Sequence, residues 1–360
     1  MISTTMGEEC KKCSSLWHLE DAPAKLVFLV DNQILLEKLR GMLEALVEEY
    51  KEEKVVSLET ESLKLFLTEL HKRNILSPLE MENIWLVILQ PGEAFKPSQV
   101  KGARSLSFWI ALVACGDYLE ALEKGRFITH FHPILDKNFS VVGYECLVRG
   151  IREDGTLIPP GFLFKCAENT DTVLYLDRLC RERAIRSCWE KGLSDRMLFI
   201  NFVPISIYNP ETCLRTTMEV VQKYGLKPGN IVFEVTESHK VEDLKHLKSI
   251  LDYYRERGFK VALDDVSSGF SGLISLVNLK PDIIKIDIEI VRDVHKDYLK
   301  QEVINALVGM CNKNGIKVLA EGVETTEELE FLGEKVDLFQ GFLFAKPSEE
   351  PPREVEKPKL

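Results

Sequence analysis

The chain has 360 residues, enough for two domains and a large buried core. With 45% hydrophobic and 29% charged residues, 21 Gly and 15 Pro, it is neither disordered, collagenous nor a coiled coil. The net charge of −11 argues against a nucleic-acid polymer as partner, since phosphate backbones call for a basic stripe, but leaves room for a small anion held by metal ions.

The first 20 residues carry Glu8, Glu9, Lys11 and Lys12 and lack an apolar segment, so no signal peptide and a cytoplasmic location are expected. Cys10-Lys11-Lys12-Cys13, with His18 five residues on, has the spacing of half a zinc site or of a redox pair; no second CxxC follows to complete four ligands. The remaining cysteines, among them Cys115, Cys146, Cys166, Cys180, Cys188 and Cys311, sit in apolar contexts and read as small buried hydrophobes in a reducing compartment.

Residues 25–30 read as a buried strand and 33–50 as an amphipathic helix, with Leu36, Leu39, Met42, Leu43 and Leu46 at helical spacing. A second strand follows at 54–58, a helix at 60–73 and a third strand at 84–89, closed by the turn signal Gln90-Pro91-Gly92. This predicts a small α/β module over residues 1–100. Residues 101–124 read as a linker, helical from 105 on. Its apolar run, Leu106–Cys115, is about half of the roughly 20 residues a membrane span needs, so no span is expected.

From 125 to 348 strand and helix patterns alternate. Strands are expected at 128–134, 140–147, 197–202, 231–236, 260–264, 282–286, 316–320 and, more weakly patterned, 341–344. Helices are expected at 161–169, 174–191, 211–224, 242–257, 271–278, 298–313 and 325–334. Units of this kind and number predict a TIM-type (β/α)8 barrel. The tail, 349–360, is rich in Pro, Glu and Lys and is expected to be disordered.

The strands end on polar groups: Glu145, Asn201, Glu234, the pair Asp264-Asp265, Lys285 and Glu321. In a barrel such ends converge on one mouth. Several carboxylates brought together repel unless cations neutralise them, and oxygen ligands suit Mg²⁺ or Mn²⁺. A two-metal site with a buried lysine is apparatus for phosphodiester hydrolysis. The residues alone therefore predict a metal-dependent hydrolase of a phosphate ester.

Eight motifs in order sharpen this. Phe131-His132-Pro133-Ile134, Glu145-Cys146-Leu147, Phe199-Ile200-Asn201, Glu234-Val235-Thr236-Glu237, Asp264-Asp265-Val266-Ser267-Ser268-Gly269-Phe270-Ser271, Lys285-Ile286-Asp287, Ala320-Glu321-Gly322-Val323-Glu324-Thr325 and Gln340 to Pro347 resemble the motifs of the EAL domain family, the cyclic di-GMP phosphodiesterases. The resemblance implies a barrel whose first strand is antiparallel to the others, and hydrolysis of cyclic di-GMP to linear pGpG with two divalent cations, Mg²⁺ or Mn²⁺, Ca²⁺ inhibiting. It implies Glu145, Asn201, Glu234 and Asp264 as ligands of a first metal, Asp265 sharing a second with Asp264, and Glu321 in the same cluster. Lys285 matches the lysine that orients or deprotonates the attacking water, a role as base that requires burial and nearby cations to depress its pKa. Glu237 matches the glutamate that holds the loop after Asp265. Arg149, His132, Leu147 and Gln340 fall at substrate-contact positions, and a homodimer through the barrel is implied. His132 replaces a family Gln, Cys146 an Ala, and Val266-Ser267-Ser268 stands where Phe-Gly-Thr or Phe-Gly-Ala is usual. These departures motivate the alternative of a weak or inactive domain that acts as a cyclic di-GMP receptor. An adaptor without nucleotide is the third reading, and the intact carboxylate set argues against it.

Overall fold

A computed structural model describes residues 2–5, 16–43, 46–50, 53–204, 207, 209–236, 244–264, 266 and 270–358. The chain divides into two compact units, Met1–Arg126 with Gly150–Tyr175, and Phe127–Arg149 with Leu176–Leu360. Cys10, Cys13, Glu237 and Asp265 lie outside the described residues.

In the first unit, β1 (Ile2–Thr5) and β2 (Leu16–Leu19) pair antiparallel, with His18 opposite Ser3. There follow β3 (Ala24–Val30), α1 (Gln33–Leu43), β4 (Leu46–Tyr50), β5 (Glu53–Thr60), α2 (Leu63–Arg73), α3 (Pro78–Glu82), β6 (Ile84–Leu89) and β7 (Arg104–Ser105). The strands form one antiparallel sheet in the order β4-β5-β3-β6-β7. The helix expected over 33–50 thus stops at Leu43, and residues 46–50 are a strand. The apolar spacing there fits either period, and pairing with β5, Val47 opposite Val56, decides it. Ser62 caps α2 by accepting from Leu65 N–H, and the Ser77–Glu80 capping box with Pro78 starts α3.

The helix expected from 105 is two helices, α4 (Leu106–Ala114) and α5 (Gly116–Lys124), broken at Cys115. Glycine is a poor helix former, and Cys115 is bonded elsewhere: its sulfur joins Cys166 of α6 (Pro160–Asn169), Cα atoms 5.6 Å apart. These two cysteines are therefore not the free apolar thiols expected from the sequence. Leu106, Phe108, Trp109, Ile110 and Leu112 of α4 are buried with α1, α2 and the sheet in one apolar core, each such side chain contributing roughly 1.5–3 kcal/mol over exposure.

The second unit is a closed barrel. Its strands are β8 (Phe127–Leu135), β9 (Val141–Ile151), β11 (Met197–Asn201), β12 (Ile231–Thr236), β13 (Lys260–Asp264), β14 (Ile283–Ile286), β15 (Lys317–Ala320) and β16 (Leu338–Phe339); β10 (Leu157–Ile158) extends the far end of β9. Strands β9 and β11 to β16 pair parallel, while β8 runs antiparallel to β16 and also pairs with β9. The antiparallel first strand is as the resemblance implies. Around the barrel run α7 (Val173–Glu190), α8 (Pro210–Cys213), α9 (Arg215–Lys223), α10 (Leu244–Glu256), α11 (Phe270–Leu279), α12 (Ile288–Val291), α13 (Tyr298–Lys313) and α14 (Thr326–Leu332). The last strand lies at 338–339 rather than 341–344. Gly341 packs so closely on the Val323 main chain that a Cβ would overlap it, and the chain turns there instead of extending.

Two features organise the barrel. Outward-facing side chains such as Leu198, Ile200, Phe233 and Val261 pack under the helices. Inward, Phe199, Val232, Ala262, Ile283, Leu319 and Leu338 fill the lumen as an apolar plug. The tail beyond Ser348 is held in place: Phe131 pairs with Ser348, Tyr144 Oη donates to Pro352 O at 2.8 Å, Arg353 donates to Lys191 O at 2.7 Å, and Val355 packs on the core. Its expected disorder rested on composition alone, and these contacts supply the anchoring that composition could not show. Among the described residues no helix is long and apolar enough to cross a membrane.

The Cys115–Cys166 bond closes a loop between residues 51 apart in sequence, worth about 4 kcal/mol in the chain-entropy model. Reductant, or Cys166→Ser, is expected to lower the unfolding temperature in calorimetry. An unchanged transition would show that the two sulfurs are not bonded in solution.

Candidate active site

Side chains two residues apart on a strand share a face. Two positions beyond the apolar plug, the same strands carry Asn201 after Phe199, Glu234 after Val232, Asp264 after Ala262 and Lys285 after Ile283, and one residue past the ends of β15 and β16 come Glu321 after Leu319 and Gln340 after Leu338. The plug and the polar ring are successive layers of one barrel, and Glu145 of β9 joins the ring. Lys285 stands at its centre, 1% exposed: its Nζ lies 2.5 Å from Glu321 Oε1, 2.8 Å from Glu234 Oε1, 3.2 Å from Asp264 Oδ1 and 3.9 Å from Glu145 Oε1. Glu145 accepts from Asn201 Nδ2 at 3.3 Å and from Gln340 Nε2 at 3.0 Å, and His132 Nδ1 is 3.9 Å from it.

The charges follow from this packing. Burial alone would strip Lys285 of its proton, but Asp264, Glu234, Glu321 and Glu145 outweigh it and hold the ammonium well above its ordinary pKa. A lower pKa, the condition under which Lys285 would serve as a base, requires the positive charge of bound cations to offset these carboxylates. Burial pushes Glu234 well above the carboxylate range against the pull of Lys285. It pushes Glu321 up to about 8. Glu145 goes the other way: burial is overcome by Lys285, His132 and the two amide donors. Burial lowers His132 despite Glu145. Arg149 on β9 is half-buried and lowered by burial, with Glu145 opposing; its Nη1 donates to Val148 O at 3.1 Å. Leu147 is half-buried on the same strand.

Among the described residues no three His, Cys, Asp or Glu side chains stand ready to close on one ion; Lys285 occupies the point where they converge. The donor set nonetheless fits a hard cation. It is all oxygen, and Glu234 is fully buried with an Oε2 that has no hydrogen-bond donor among the described residues. The residues that hold the rim were not foreseen from the sequence. Asp177 of α7, buried and paired with Arg181, accepts from Val203 N–H at 2.8 Å and so fixes the chain just after Asn201. Arg181 Nε in turn donates to Thr217 at 3.2 Å. Their i, i+4 spacing looks like a surface pair. Its only sign of burial is the set of apolar neighbours on α7.

Glu328 of α14 plays the same part for the chain after Glu321. Its carboxylate accepts from Asp293 and Glu324 N–H, both at 2.9 Å, and Thr325 N–H at 3.1 Å. Burial works against its charge, but these three donors hold its pKa below 4.5. Its stabilisation is therefore present above pH 4.5 and lost as pH falls through the depressed value. Glu328→Gln is expected to cost about 1–3 kcal/mol at neutral pH. In pH-resolved thermal melts the gap to wild type should close below pH 4.5, and a gap constant with pH would contradict this account.

Comparison with known proteins bears on this geometry. The EAL domain model matches residues 116–347. Signaling protein YkoW of Bacillus subtilis (strain 168) is 30% identical over 245 residues, 66% of this chain and 30% of its own length. Cyclic di-GMP phosphodiesterase PdeR of Escherichia coli (strain K12) is 31% identical over 232 residues, 63% of this chain and 35% of its own. The chain thus spans about a third of the length of these curated relatives. The crystal structure of a standalone EAL protein from Vibrio cholerae O395, bound to c-di-GMP, is 37% identical, with a TM-score of 0.58 over 64% of this chain and 95% of that one.

Proposed function

The chain belongs to the EAL domain family, and on that premise we propose that its barrel is a cytoplasmic phosphodiesterase that opens cyclic di-GMP to linear pGpG. The observation that carries the reading is the polar ring one layer beyond the plug, with four carboxylates converging on Lys285. Glu145, Asn201, Glu234 and Asp264 would hold one divalent cation, with Asp264, Asp265 and Glu321 serving a second, Mg²⁺ or Mn²⁺. Bound there, the cations would lower the pKa of water and neutralise a phosphodiester.

The chain's own groups do the rest. Lys285 carries a proton at Nζ, 2.5 Å from Glu321 Oε1, and with it can orient an attacking water. Arg149 offers its planar fork to a phosphate, and His132, Leu147 and Gln340 shape the dinucleotide's seat. Glu237 is assigned to holding the loop after Asp265. Leu273, Ile274 and Val277 are exposed on α11, an apolar stripe suited to the barrel of a second copy. The second reading, a receptor that binds without hydrolysis, rests on His132 and Val266-Ser267-Ser268, which depart from the family's motifs.

Chromatography of products after incubation with cyclic di-GMP and Mn²⁺ separates the two. Hydrolysis predicts linear pGpG, lost on chelation; binding without product supports the receptor. Glu145→Ala is expected to abolish turnover with the fold retained, and product from that variant would remove Glu145 from the cation site. Lys285→Ala is expected to cut turnover on the order of a hundredfold with dinucleotide affinity nearly unchanged. Parallel loss of affinity and melting temperature would mark Lys285 as a structural ion pair instead.

A further inference from the structure

The turn after Gln340 displays an aromatic ring at the barrel mouth. Phe342 stands three residues past the end of β16, on the side where the parallel strands end, and barrels of this type carry their sites on that side. Its side chain is 52% exposed. An exposed phenylalanine means little by itself. This one is held firmly, and it borders the acidic ring.

The backbone that carries it is fixed. Gln340 O accepts from Val323 N–H at 3.0 Å, and Val323 O accepts from Leu343 N–H at 3.0 Å. Gly341 O accepts from Phe344 N–H at 3.2 Å and from Ala345 N–H at 3.3 Å. Leu343 and Phe344 pack on the barrel core, and Phe344 also meets the rings of Phe139 and Phe339. The turn draws these two side chains inward and leaves Phe342 outside, so its ring has little conformational freedom left to lose on binding.

The ring centroid lies 6.0 Å from that of His132, whose Nδ1 is 3.9 Å from Glu145 Oε2. Gln340, two residues before Phe342, donates to the same carboxylate. Lys346 Nζ lies 5.5 Å from the Phe342 centroid. Lys346 is exposed, and its flexible stem lets the ammonium swing from the ring to an incoming anion. An aromatic face with a movable cation beside it suits a ligand that is both planar and anionic. A nucleotide is such a ligand: its base stacks on the ring and its phosphate meets the ammonium.

We propose that Phe342 is a stacking platform for one base of the cyclic dinucleotide, and so sets the barrel's preference for a phosphodiester that carries bases. This rests on the reading of the barrel as a cyclic di-GMP site and adds to it a residue that recognises by its flat face rather than by charge.

The test measures affinity of the full chain for cyclic di-GMP by titration calorimetry in Ca²⁺, and turnover in Mn²⁺, for wild type, Phe342→Ala, Phe342→Leu and Phe342→Trp. The affinity arm serves enzyme and receptor alike. Phe342→Ala and Phe342→Leu are each expected to weaken binding by about tenfold, and to raise KM as much with kcat nearly unchanged. Leucine keeps apolar bulk on the turn, so its effect isolates the ring face. Phe342→Trp should bind at least as tightly as wild type. Its added fluorescence, taken as the difference from wild type, should be quenched saturably by the dinucleotide. Wild-type affinity in Phe342→Ala or Phe342→Leu, or no quench in a Phe342→Trp variant that binds, would overturn this proposal alone. No binding of cyclic di-GMP by the wild-type chain would overturn the reading of the barrel and the proposal with it.

Discussion

The barrel mouth depends on one ammonium group. Lys285 is surrounded by four carboxylates within 3.9 Å, and without it they would be buried together with nothing to neutralise them. Such a cluster is tolerable in two states: one held by Lys285 with some carboxyls protonated, the other held by cations that take over its charge. In the first, Glu234 and Glu321, whose pKa values burial pushes upward, are the carboxyls that take up the protons.

Everything around the ring keeps that arrangement in register. The apolar plug sets the depth of the strands, so each polar residue arrives at the same level two positions later. Asp177 and Arg181 tie down the chain after Asn201. Glu328 ties down the chain after Glu321. The close approach of Gly341 to Val323 brings Gln340 within reach of Glu145. These are backbone-anchoring contacts behind the ring itself. They make the ring a rigid feature of the barrel rather than of its loops.

The ring was legible in the sequence because a carboxylate or ammonium inside an apolar strand is costly unless it is paired or holds a metal, and Val-Phe-Glu234 and Ile-Ile-Lys285 advertise such groups. The barrel was legible from the alternation of strand and helix periods. What escaped was whatever depends on distant partners. Residues 46–50 could satisfy either period until β5 paired with them. The bond made by Cys115, where α4 gives way to α5, reaches a residue 51 positions away. The tail has no hydrophobic pattern of its own and is held by Tyr144, Phe131 and Lys191. The proton on Lys285 could not be read from its isoleucine neighbours, because its pKa is set by carboxylates that reach it from other parts of the chain.

The central claim is that the ring around Lys285 is a cation site, and counting bound metal tests it most directly. Electron paramagnetic resonance of Mn²⁺ titrated into the full chain, with and without cyclic di-GMP, gives the number of ions held. The account predicts two per chain with the dinucleotide present, with binding lost in Asp264→Asn. No bound Mn²⁺ under either condition, with Lys285 still paired to its carboxylates, would contradict it.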